Sequence, residues 1–82
     1  MANNVTILVV DDEAPFLQVA QALLESENYT VETAVDGVAA INILQQKSFD
    51  VVLLDIKLPR VDGIEVLKFI HEHYLNTQVI ML

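Results

Sequence analysis

Two short runs, Val5-Thr6-Ile7-Leu8-Val9-Val10 and Val51-Val52-Leu53-Leu54, constrain the fold of this chain most, because each is almost wholly apolar and each leads directly into an aspartate. A strand with one wet face alternates apolar and polar residues. One that is apolar on both faces must be covered on both, as in a parallel sheet with helices above and below. The first run is therefore expected to be a central strand and the second another buried parallel strand.

The segments between them read as helices and one further strand. From Pro15 to about Glu27, Phe16, Val19, Ala20, Leu23 and Leu24 recur at helical spacing, and Pro15 suits a first turn, where its missing N–H costs nothing. Tyr29 to Ala34 alternates more than the first run and reads as an edge strand. Asp36 can cap a second helix through Ala39, Ala40, Ile41, Ile43 and Leu44, which the polar stretch Gln45-Gln46-Lys47-Ser48 ends. After a loop from Ile56 to Val61, Asp62 is a capping residue with Glu65 three places on, and Ile64, Leu67 and Ile70 form the stripe of a third helix reaching about His73. Gln78 to Leu82 has strand composition. The order β-α-β-α-β-α-β implies an α/β fold with a parallel sheet and right-handed crossovers.

Residues 1–82 show no internal repeat, low-complexity tract or linker, so they are expected to form one domain or part of one, with no output domain. The last strand lacks a following helix to cover it, and its apolar edge would leave backbone groups unpaired. The expectation is a truncated domain, or a chain that self-associates through its fourth strand. Met1-Ala2-Asn3-Asn4 reads as neither signal peptide nor membrane anchor, and no apolar run approaches the ~20 residues of a spanning helix. With 4 basic against 12 acidic residues the formal charge is -8, which opposes direct nucleic-acid binding by this segment. No cysteine is present, so disulfide and thiolate chemistry are excluded.

Asp11 and Asp12 follow the first strand and Asp55 ends the third, and ligands of open parallel sheets bind outside the carboxyl ends of the strands. If those strands are neighbours, three carboxylates converge and repel one another unless a hard cation joins them. Mg²⁺ suits the cluster because it takes one or two carboxylates, keeps several waters and accepts phosphate oxygens. A carboxylate can also attack phosphorus to form an acyl phosphate, and a neighbouring metal neutralises charge on the transferring group. Asp55 stands alone at its strand end and is the expected nucleophile, while Asp11 and Asp12 are better placed to hold the metal.

Val9-Val10-Asp11-Asp12-Glu13, Leu53-Leu54-Asp55 and Lys57-Leu58-Pro59-Arg60-Val61-Asp62-Gly63, in this order and spacing, resemble the receiver domain of bacterial response regulators. The likeness extends from Val5 to Leu82. It implies a flavodoxin-like three-layer α/β/α fold with strand order 2-1-3-4, located in the cytoplasm. It also implies that Asp55 accepts phosphate from a histidine kinase, that Asp12 binds Mg²⁺ directly and Asp11 through water, and that the backbone carbonyl of Lys57 completes the ligands. Pro59 and Gly63 would shape the loop. Such a domain is a phosphoacceptor rather than an enzyme, although an intact one assists its own phosphorylation and dephosphorylation. The loop from Lys57 to Gly63 and the third helix look most like receivers fused to transcriptional activators.

Receivers also carry a Thr or Ser at the end of the fourth strand and a Lys at the end of a fifth, and neither position falls within these 82 residues. Phosphotransfer is therefore expected to be impaired, since losing one preorganised donor costs ~10²- to 10³-fold. The alternative is a non-catalytic unit that acts by self-association. A haloacid-dehalogenase-like phosphohydrolase would need Asp-x-Asp after the first strand, and a nucleotide-binding domain a Gly-rich loop there. Asp11-Asp12-Glu13 supplies neither. Asp36 and Asp62 read as caps, Glu13 as a first-turn acid bordering the site, His71 and His73 as solvated helix-end residues, and Phe16, Tyr29 and Phe69 as packing.

Overall fold

A computed structural model describes residues 5–55, 57–58, 60–73 and 76–82. Its elements in chain order are β1 (Thr6–Val10), α1 (Ala14–Ser26), β2 (Thr30–Ala34), α2 (Gly37–Gln46), β3 (Val51–Leu54), α3 (Arg60–His73) and β4 (Gln78–Met81). The described strands form one parallel sheet in the order β2-β1-β3-β4, as the resemblance implies. Val10 lies opposite Ala34 on one side and Leu54 on the other, so β1 is the central strand its composition demands.

The sheet divides the interior in two. Leu8, Val10, Val52 and Leu54 point to one face and pack with Ala40 and Leu44 of α2 and Val66 and Ile70 of α3. Ile7, Val9 and Val31 point to the other and pack with Leu17 of α1. Two described helices cover one face and a single helix the other, and α1 lies over β1 and β2. β3 is consequently less buried than its sequence suggests: Val52 and Leu54 are enclosed, but Val51 and Leu53, on the face of α1, are half-buried. β2, as its alternation suggests, and β4 are the two edges of the described sheet, and on β4 Ile80 and Met81 are exposed.

Helix α1 has two apolar stripes, and the sequence does not say which one faces the sheet. Leu17 is buried with Ala20 and Leu24 beside it, whereas Phe16, Val19 and Leu23 face outward. The helix stops in a Schellman turn. Asn28 takes a left-handed φ of 71°, which Asn tolerates better than most residues, its N–H donates to the Glu25 carbonyl at 2.9 Å, and the Tyr29 N–H reaches the Leu24 carbonyl at 3.2 Å. Tyr29 therefore closes the helix end, and β2 begins one residue later than its alternation suggests.

Asp36 caps α2 as expected, its Oδ1 accepting the Ala39 N–H at 2.8 Å. Asp62 is no cap. α3 begins at Arg60, which puts Asp62 in its first turn, where a negative charge favours the helix dipole. Gly63 lies inside that helix without a positive φ rather than shaping the loop before it. Pro59 and Ile56, assigned to that loop from sequence, fall outside the described residues. At the amino end of the sheet Asp50 ties β3 to β1, its Oδ2 accepting the Thr6 N–H at 2.9 Å and its own N–H donating to the Thr6 carbonyl at 3.0 Å.

Leu44 is fully enclosed, so Leu44→Ala should lower the unfolding free energy by about 2–5 kcal/mol in urea denaturation, whereas Asp36→Ala, which removes one cap, should cost about 1 kcal/mol.

Candidate functional site

The ladder between β1 and its neighbours continues one residue beyond each strand. The Asp11 N–H donates to the Ala34 carbonyl and the Asp55 N–H to the Val10 carbonyl, each at 3.0 Å. Both aspartates are thereby fixed side by side at the carboxyl edge. From this edge α1 leaves β1 on one face and α3 leaves β3 on the other, the point where parallel sheets open a crevice.

Asp11 is 8% exposed and Asp55 7%, while Asp12 stands in solvent. One carboxylate oxygen from each of the three lies within 4.8 Å of the others, so the cluster expected from sequence is assembled. Each buried carboxylate is held by an N–H two residues on: Glu13 to Asp11 Oδ1 at 2.8 Å and Lys57 to Asp55 Oδ1 at 2.9 Å. These turns orient the side chains and commit one oxygen of each. Bare repulsion between two unit charges at such a separation is ~3 kcal/mol at an effective dielectric constant near ~20. Hydrogen bonds to charged groups contribute about 1.5–3 kcal/mol each, so the two N–H groups offset much of it.

Leu58 anchors the turn below Asp55. Its side chain is buried in the core shared with α2 and α3, and its N–H donates to the Asp55 carbonyl at 3.2 Å. Lys57 is exposed. A cleft of about 360 Å³ adjoins the acids, lined by Asp11, Glu13, Phe16, Asp55, Lys57 and Leu82. Glu13 sits at the N-cap position of α1 rather than in its first turn, and borders the cleft. Phe16, expected as packing, is 42% exposed and forms part of the wall. Its position i, i+3, i+7 to Val19 and Leu23 was the available signal that it belongs to a second, outward stripe. His71 and His73 are exposed near the helix end, with His73 stacked on Phe69.

Oxygen donors alone, crowded and with oxygens uncommitted to backbone, form a set suited to a hard divalent cation such as Mg²⁺ and poorly suited to softer metals. The same arrangement leaves Asp55 at the floor of an open cleft, where a carboxylate oxygen can meet an electrophile.

The family model for the response regulator receiver domain matches residues 7–82. The alkaline phosphatase synthesis transcriptional regulatory protein PhoP of Bacillus subtilis is 40% identical over 79 residues, which are 96% of this chain and 33% of that protein. This chain thus spans about a third of the length of the curated relatives it matches. Among solved structures, a CheY-like receiver domain protein from Methanospirillum hungatei superposes with a TM-score of 0.88 at 33% identity, covering 96% of this chain and 63% of that one. The response regulator TrrA of Thermotoga maritima, solved in complex with Mg(2+)-BeF, gives a TM-score of 0.82 at 32% identity, covering 94% of this chain and 67% of that one.

Because Asp12 adds charge to two buried carboxylates and makes no hydrogen bond that the turns depend on, Asp12→Asn should raise the thermal midpoint in metal-free buffer, read by circular dichroism.

Proposed function

This chain belongs to the response regulator receiver domain family of two-component signalling, and on that premise we propose that Asp55 is its phosphoacceptor, taking a phosphoryl group from a histidine kinase. The observation that carries the reading is a nearly buried Asp55 carboxylate, pinned through Oδ1 by the Lys57 N–H, beside the oxygens of Asp11 and Asp12. An oxygen of Asp55 attacks phosphorus, the phosphorus–nitrogen bond of the donor phosphohistidine breaks, and the imidazole leaves with the electron pair of that bond. The product is an aspartyl phosphate.

Asp12, Asp55 and the backbone carbonyl of Lys57 would hold Mg²⁺, with Asp11 engaged through water. The cation supplies neutralisation of charge on the transferring group when bound. The N–H groups of Glu13 and Lys57 keep the two buried carboxylates aimed at the cleft. The exposed stripe Phe16, Val19 and Leu23 adjoins the cleft through Phe16 and offers a protein donor an apolar surface to rest on. The formal charge of -8 argues against direct nucleic-acid contact by this segment. Among the described residues no helix is long and apolar enough to cross a membrane, which accords with a cytoplasmic setting.

A self-associating interaction unit is the second reading, and the exposed Ile80, Met81 and Leu82 on and beside the β4 edge favour it. The two readings separate in one experiment. After incubation with acetyl phosphate and Mg²⁺, the intact mass of the 82-residue chain should rise by one phosphoryl group, and Asp55→Asn should abolish the gain. The reaction should be slow, because none of the described residues lining the Asp55 cleft bears a hydroxyl, and one missing donor costs ~10²- to 10³-fold. A folded chain that gains no mass but enlarges with concentration in size-exclusion chromatography would leave the interaction reading.

A further inference from the structure

Gly37 opens α2, and a Cβ built on it would lie 3.0 Å from the backbone oxygen of Asp62 and 3.1 Å from the Asp62 Cβ. That is closer than side-chain carbons normally approach their neighbours, and the neighbour is helix backbone that cannot rotate away. Gly37 has no positive φ, so close approach, and not backbone freedom, is what requires glycine here. The first turns of α2 and α3 therefore meet backbone to backbone at this point.

The contact lies close in sequence to the phosphoacceptor. Residues 56–59 alone connect Asp55 to α3, and within that connection Leu58 is buried with Ala40 and Leu44 of α2 and Val66 of α3. Leu58 thus shares one core with buried side chains of both helices. Leu58 and Lys57 in turn donate their N–H groups to the carbonyl and the Oδ1 of Asp55.

We propose that Gly37 is a positioning residue for Asp55: by letting α2 and α3 touch, it holds the turn whose Lys57 N–H orients the carboxylate. The proposal takes its functional meaning from the phosphoacceptor reading but makes a structural claim of its own. A Cβ at position 37 would push the first turn of α3 away by a few tenths of an ångström and drag the short turn with it. Gly63 is the internal control, since it sits next to Asp62 in the same helix and a Cβ there meets nothing within 4 Å.

The test compares Gly37→Ala and Gly63→Ala with the parent chain by ¹H–¹⁵N NMR and by calorimetric titration with Mg²⁺, below the melting temperature of each. Gly37→Ala should shift the Lys57 amide proton upfield as its hydrogen bond lengthens, and weaken Mg²⁺ binding about 10-fold, the lower end of what loss of an outer-shell partner costs. Gly63→Ala should change neither. A Gly37→Ala chain that only melts earlier, with the Lys57 amide and the Mg²⁺ affinity unchanged, would overturn the proposal. If that variant does not fold in plain buffer, the same comparison is made in sucrose, which strengthens burial by its exclusion from the protein surface, and an unmoved Lys57 amide in the folded variant overturns the proposal equally. A parent chain that binds no Mg²⁺ would count against the metal site, while the amide shift would still decide the role of Gly37.

Discussion

The pairing of Val10 with Leu54 in the parallel ladder is the contact on which the site depends. It places Asp11 and Asp55 at equal height on adjacent strands, where their carboxylates meet at the mouth of the sheet. A one-residue slip would turn each side chain to the opposite face, so the register is held wherever that face is buried. Here it is held on both faces of β1 and from both ends: by Leu8, Val10, Val52 and Leu54 in one core, by Ile7 and Val9 in the other, and by the Asp50–Thr6 bonds at the amino end. Hydrophobic burial thus fixes the position of two charges that would otherwise separate.

Electrostatics then works against that placement and is answered locally. Each buried carboxylate finds an N–H two residues along its own chain, which costs little loop entropy and commits only one oxygen. The remaining oxygens face an open cleft. The site is thus preorganised by short-range backbone geometry resting on a long-range strand pairing, and the closeness of α2 to α3 at Gly37 connects the two levels.

Much of this was legible in the sequence because the relevant signals are local and periodic. Continuous apolar runs marked β1 and β3, Asp36 marked the start of α2, and the two aspartate motifs marked the strand ends that carry the acids. What escaped was decided by tertiary contact. Leu17 rather than Phe16 faces the sheet because α1 carries two apolar stripes and only packing selects one. Val51 and Leu53 are half-buried because α1 covers β1 and β2 and leaves β3 partly open. Asp62 and Gly63 resembled a cap and a turn, yet the helix had already begun at Arg60. Nothing local marks Asp50, whose partner Thr6 lies 44 residues away in the chain.

The central claim is that three carboxylates brought together by strand pairing form one cation site around the phosphoacceptor. A crystal structure of the chain grown with Mg²⁺ tests it most directly. The account predicts one ion bound to oxygens of Asp12 and Asp55 and to the backbone carbonyl of Lys57 at about 2.0–2.1 Å, with water, some of it held by Asp11, filling the remaining positions. An ion bound elsewhere, or these three carboxylates apart and unliganded at millimolar Mg²⁺, would contradict it.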